Sequence, residues 1–176
     1  VGEGKNIYSS KIDFNEVQQR INKFYFPYHK KLKSLINLNI NKFGEALIFD
    51  CHSMPHISLS NFSCDENDKP DIVLGNCFGS SCRKETFDQV KKIFNDKGFN
   101  VSVNIPFCGG FITKNYGEPK KNVNSIQIEI NRKLYMNEKN QTKKSDFNRI
   151  KEKFIRISKE LSEISVFSNK VDYAAE

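Results

Sequence analysis

No apolar run reaches the length, about 18 residues, that a helix needs to cross a bilayer. The opening residues Val1-Gly2-Glu3-Gly4-Lys5 contain no apolar core and no small-residue cleavage site, so they do not read as a signal peptide. An initiating Met is also missing, which sets up the expectation that the chain begins inside a longer protein. The five cysteines, Cys51, Cys64, Cys77, Cys82 and Cys108, contain no C-x-x-C pair. An odd, unpaired set fits neither a disulfide framework nor a zinc ribbon, and the expectation is reduced thiols in a cytoplasm. Basic blocks are absent as well. The net charge is +7, but the lysines are scattered, and the only short cluster with aromatics runs from Lys23 to Lys33. That distribution argues against nucleic acid as a partner, while a diffuse basic field still attracts small anions.

With 176 residues, 38% of them hydrophobic and 15 of them Phe, the chain has the material for one domain with a sizeable core, taken as residues 1–176. From Asp13, apolar residues recur at three- and four-residue steps: Phe14, Val17, Ile21, Phe24, Tyr28, Leu32 and Leu35. This is a helix, with Asp13 as N-cap, Glu16 as its box-like partner and Gly44 as its end. Pro27 must kink or split it. Glu45 to Asp50 and Asp71 to Gly75 read as short buried strands, with residues 53–69 as loop. Glu85 to Lys97 reads as an amphipathic helix closed by Gly98, and Phe99 to Ile105 as a strand. Pro106 to Pro119 is a Gly-rich loop. Ser125 to Asn131 alternates strictly, isoleucines one way and Gln127, Glu129 and Asn131 the other. Ser145 or Asp146 caps a last helix carrying Phe147, Ile150, Phe154, Ile157 and Leu161. Strands alternating with helices give an α/β fold with a mixed sheet.

The first cluster that could carry chemistry sits at a strand end, where sites of open α/β sheets lie, and Glu129 lies mid-strand between Ile128 and Ile130. Asp50 and His52 are two apart and share a face if their strand continues. One reading is a metal-ligating imidazole oriented by a carboxylate; the other is a polar turn. Glu129 reads either as the polar face of an exposed strand or as a general base beside a metal-bound water. Arg132 suits a substrate carboxylate, since its fork donates two parallel hydrogen bonds, but a surface Arg has the same sequence. Cys82, just before a helix, raises the option of a thiol nucleophile with His29, His52 or His56 as base. Gly79 to Ser81 could hold an anion on backbone amides.

Six stretches then occur in a telling order. They are Tyr25-Phe-Pro-Tyr-His29, Asp50-Cys-His-Ser53, Asp71-Ile-Val-Leu-Gly75 with Gly79-Ser-Ser-Cys82, Asn104-Ile-Pro-Phe107 with Gly109-Gly110, Tyr116-Gly-Glu-Pro119, and Gln127 to Met136. Together they resemble the N-formylglutamate amidohydrolase family over roughly residues 7–137, and Ala174-Ala-Glu176 resembles a family ending. The resemblance implies a mixed central sheet flanked by helices, like that of zinc carboxypeptidases and related deacylases. It implies a zinc-dependent amidohydrolase that removes an N-acyl group from a small anionic amino acid. In the best-known case the products are formate and glutamate, at the end of a histidine-degradation route. It implies zinc as cofactor, with His52 as a zinc ligand and Glu129 activating the metal-bound water. Arg132, Tyr116 and Asn131 are implied at the substrate, Tyr116 closing over it from the Gly-rich loop. Asp50 and Ser53 are implied as supports behind the metal ligand, and His29 and Arg20 as residues of the site wall. The family's other zinc ligands come from a motif absent from residues 1–40, so the chain is expected to be N-terminally incomplete, to hold incomplete or no zinc and to have little activity by itself. The competing expectation is a non-catalytic domain that binds an acidic metabolite or partner.

Overall fold

The computed structural model describes residues 6–62, 65 and 68–164. Cys64 and the Ala174-Ala-Glu176 ending lie outside the described residues. The first helix, α1 (Phe14–Arg20), is capped as expected, with the Asp13 carboxylate accepting from the amides of Asn15 and Glu16. Glu16 does not close a capping box; its carboxylate turns one helical turn forward to Arg20. The expected break at Pro27 takes the form of a π-helical segment, Ile21–Tyr25, that leads directly into α2 (Phe26–Phe43). A widened turn just before Pro27 absorbs its missing donor and the clash of its ring, so the helix shifts register instead of stopping. Gly44, at φ 76°, ends α2 in the left-handed conformation that a side chain disfavours.

The first strand runs further than its apolar run implied. β1 spans Ala46–Met54, so Asp50-Cys51-His52-Ser53 lies within a strand and not beyond its end. It is followed by β2 (Ile72–Gly75), α3 (Lys84–Asp96), β3 (Val101–Val103), α4 (Phe111–Tyr116), β4 (Val123–Asn131) and α5 (Phe147–Ser162). A small hairpin, β5 (Met136–Asn137) with β6 (Thr142–Lys143), precedes α5. The main sheet has the order β1-β4-β2-β3. β1 runs parallel to β4, β2 parallel to β3, and β2 antiparallel to β4. It is therefore a mixed sheet, as the alternation of elements implied, with β4 inside it and β1 along one edge.

Both faces of the sheet are covered, which decides the character of β4. Ile72 and Leu74 of β2 with Ile126 and Ile128 of β4 form one face. They pack under Phe87, Val90 and Phe94 of α3 and Ile150, Ile157 and Leu161 of α5. On the opposite face, Ala46 and Val123 meet Ile36 of α2 and Tyr116 of α4. Met54 and Val73 meet Leu59 beside them. The alternation in β4 therefore does not mark an exposed face: Gln127, Glu129 and Asn131 are buried together with the isoleucines. α4 is the element that the sequence concealed, a six-residue helix inside the Gly-rich stretch.

Gly75 lets that stretch approach the sheet. A Cβ on Gly75 would lie 2.6 Å from the carbonyl carbon of Cys108 and 2.7 Å from the amide nitrogen of Gly109. These are backbone atoms and cannot rotate away. Gly75→Ala is expected to cost about 1–3 kcal/mol through overpacking, read as a lower urea midpoint at unchanged slope.

Candidate active site

The register of the sheet sets two rows of side chains across its polar half-face. Asp50 of β1, Gln127 of β4 and Gly75 of β2 are in line; one step on, His52, Glu129 and Val73 are in line. Residues opposite one another share a face, so Asp50, His52, Gln127 and Glu129 converge. His52 Nε2 lies 3.0 Å from Asp50 Oδ1, and His52 Nδ1 lies 4.0 Å from Glu129 Oε1. The imidazole thus has one nitrogen turned to a carboxylate behind it and the other turned toward the central strand. At 46% side-chain exposure it is open to solvent, whereas Glu129 is 7% exposed.

Glu129 is held from the other side by a relay. The Gly110 amide donates to Gln127 Oε1 at 2.5 Å, and Gln127 Nε2 donates to Glu129 Oε1 at 2.9 Å. Burial pushes the Glu129 carboxyl above the usual carboxylate range. The His52 ring and the Gln127 hydrogen bond pull it back, Asp50 pushes it further up, and Arg132 pulls weakly down. Among the described residues Glu129 Oε2 accepts no hydrogen bond. A largely buried carboxylate with a raised pKa and one free oxygen, beside an exposed imidazole, is a better proton acceptor than an ordinary surface carboxylate.

The glycine turn beyond β2 completes the frame. Asn104 Oδ1 accepts from the Asn76 amide, its Nδ2 donates to Asn76 Oδ1, and Asn76 Oδ1 also accepts from the Gly79 amide. The amides of Ser80 and Ser81 donate to the carbonyls of Cys77 and Asn76. The amides of Gly79 to Ser81 are therefore taken, and the anion cradle expected there is corrected. The Cys82 nucleophile is corrected too. Its thiol is 2% exposed, and burial pushes its pKa up to about 12, which leaves almost no thiolate at neutral pH.

The model of the N-formylglutamate amidohydrolase family matches residues 1–136. The chain belongs to this family. It is 29% identical over 128 residues to the N-formylglutamate deformylase of Pseudomonas putida, covering 70% of this chain and 45% of that protein. With the N-formylglutamate deformylase of Pseudomonas aeruginosa it shares 30% identity over 117 residues, 64% of this chain and 41% of that one. The crystal structure of N-formylglutamate amidohydrolase from Ralstonia eutropha JMP134 superposes with a TM-score of 0.77 at 31% identity, covering 88% of this chain and 55% of that one. The chain thus spans about half the length of the relatives it matches.

Of the residues that the family resemblance implied, the structure brings together Asp50, His52 and Glu129. The others lie around or away from that cluster. Arg132 donates from Nε to Ser53 Oγ at 3.1 Å and from Nη2 to the Ser53 carbonyl at 3.2 Å. Ser53 is in register with Ile130, on the opposite face from His52, so it braces Arg132 and does not back the imidazole. Asn131 is buried with its amide donating to the Pro70 carbonyl and facing His56 Nδ1 at 3.1 Å, and its Oδ1 accepts from the Lys133 amide. Every polar atom of that side chain has a protein partner.

Tyr116 is corrected in place. It is no loop residue but the last residue of α4, 6% exposed. It packs with Ala46 and Val123, at the far end of β1 and β4 from His52. Its hydroxyl lies 2.5 Å from His29 Nδ1, which joins α2 to α4. Arg20, on exposed α1, pairs with Glu16 and Tyr8, not with the wall of this site. Gln127 was not singled out from the sequence, although its step of two from Glu129 places it on the same face.

A hydrolytic zinc centre takes three protein ligands and leaves one position open. Among the described residues no three His, Cys, Asp or Glu side chains are grouped to hold a metal. The cluster offers one imidazole, that of His52, with Asp50 and Glu129 beside it, and this set does not compose a zinc centre by itself.

Two outcomes follow from the cluster. At pH 8 a thiol reagent is expected to label exposed Cys51 early and Cys82 only on unfolding, read by peptide mapping after timed quenching. The second concerns Glu129, whose pKa is higher in the folded chain than in the unfolded one. Its contribution to stability is greatest in acid and is lost as pH rises through the raised value. Glu129→Gln is therefore expected to gain stability over wild type at pH 8, with the gain closing toward pH 4, measured by urea unfolding with chelator present.

Proposed function

We propose that this chain carries the water-activating half of an amidohydrolase site that releases formate from an N-formyl acidic amino acid, with Glu129 as the proton carrier. The observation behind this reading is the in-register pair of His52 and Glu129, with Asp50 behind the imidazole and one Glu129 oxygen free. The relatives named as deformylases of N-formylglutamate supply the substrate class.

The steps that these residues perform balance as an amide hydrolysis. Glu129 Oε2 takes a proton from a water as the water oxygen adds to the formyl carbon. The carbon–nitrogen bond then breaks, and Glu129 returns the proton to the leaving amine, giving formate and the free amino acid. Arg132 is proposed to hold a substrate carboxylate. Ser53 fixes Nε and Nη2, and among the described residues Nη1 donates no hydrogen bond. Zinc enters the proposal only through His52. With Nε2 turned to Asp50, Nδ1 is the nitrogen left to bind a metal, and the remaining ligands would come from outside the described residues.

The test is formate release from N-formylglutamate with metal analysis of the same sample. Glu129→Gln is expected to lower turnover by about 10²–10⁴-fold, the usual range for a lost acid–base group. Unchanged turnover in Glu129→Gln would sink the assignment. Binding of N-formylglutamate without hydrolysis, with or without added zinc, would favour a metabolite-binding domain.

A further inference from the structure

Resting on that reading of Glu129, we infer that Gln127 is a positioning residue: its carboxamide ties the Glu129 carboxylate to the backbone of the Gly109-Gly110 turn and so selects which carboxylate oxygen meets the water. The geometry leaves the amide no choice of orientation. A backbone N–H can only donate, so the end of the carboxamide that meets Gly110 at 2.5 Å must be Oε1. The other end, Nε2, then points at Glu129 Oε1 at 2.9 Å as a donor facing an acceptor. A flipped amide would set two donors together at Gly110 and two oxygens together at Glu129. Both bonds are satisfied in a buried row, where a half-satisfied amide would be costly.

The glycines make this contact possible. A Cβ on Gly110 would come within 3.1 Å of Gln127 Oε1. One on Gly109, at φ 124°, would come within 2.8 Å of Cys77 Sγ. A side chain at Gly110 would crowd Gln127 directly, and one at Gly109 would crowd Cys77 and Thr113 beneath the turn, so the two glycines ease the close approach. Oε1 of Glu129 accepts from Gln127 and is also the oxygen nearest His52, which leaves Oε2 as the oxygen that handles the proton.

Neither residue of similar length fits this duty when its ends are apolar or ionised. Methionine has the length without the polar ends. Glutamate keeps an acceptor for Gly110 but sets an oxygen against Glu129.

The test uses the whole chain and two readouts. By ¹⁵N NMR at neutral pH, the Gln127 Nε2 protons are expected to exchange at least about tenfold more slowly than those of exposed Gln18 and Gln19. They should lose that protection in Glu129→Ala while the Gly110 amide keeps its own. In Gln127→Met the Gly110 amide should lose protection. By formate release, Gln127→Met and Gln127→Glu are each expected to lower kcat by about tenfold or more with KM within about twofold, since the lost contact acts on the reacting carboxylate and not on substrate binding. Fast exchange of the Gln127 amide in wild type would overturn the inference, as would wild-type kcat in either variant. A variant that does not fold is set aside for the other one. Absence of hydrolysis in wild type counts against the functional reading alone, and the exchange readout then decides the bridge.

Discussion

A carboxylate in the inner strand of a sheet cannot rely on water to hold its charge. Glu129 sits on β4 with helices over both faces of the sheet, and the rest of the candidate site is arranged around supporting it. Gln127 donates to one oxygen, His52 stands on the open side, and Asp50 stands behind His52. Remove the polar row and β4 becomes an ordinary buried strand, with isoleucines toward α3 and α5. The same burial that raises the Glu129 pKa is what would suit the group to the proposed proton transfer, because a carboxylate of raised pKa is the better proton acceptor. Stability and chemistry pull in opposite directions at this residue, as is common at active sites.

The supports come from distant parts of the chain. The turn that reaches Gln127 begins at Cys108 and is seated over Gly75; α4 follows it at once and is tied to α2 through Tyr116 and His29. Tyr25, Tyr28 and Phe111 pack around the same His29 ring, so the junction of α2 with α4 is aromatic as well as hydrogen-bonded. The far end of the sheet thus holds the helix whose first residues present the amide of Gly110.

Much of this was legible in the residues. The period of two placed Asp50 with His52, and Gln127 with Glu129, and the amphipathic helices α3 and α5 were plain from the spacing of their apolar residues. The length of β1 was not, because Cys51, His52 and Ser53 look like turn chemistry, and only pairing with β4 keeps them extended. The burial of Gln127, Glu129 and Asn131 was hidden for a related reason. Strict alternation is the pattern of a half-exposed strand, and position inside a sheet is a non-local fact. α4 was too short and too closely flanked by glycines to show a helical period. The location of Tyr116 depends on His29, a partner far away in sequence, and no local pattern encodes that.

β1 has one further property. It is a nine-residue edge strand, and His52 sits on it with half its side chain in solvent. Among the described residues its outer rim of amides and carbonyls meets no other strand. A strand laid along that rim would run about 4.8 Å away, and its residue opposite His52 would project on the same face as the imidazole. The outer border of the sheet is therefore also the border of the candidate site, and any polypeptide that continued the sheet there would become a wall of the site.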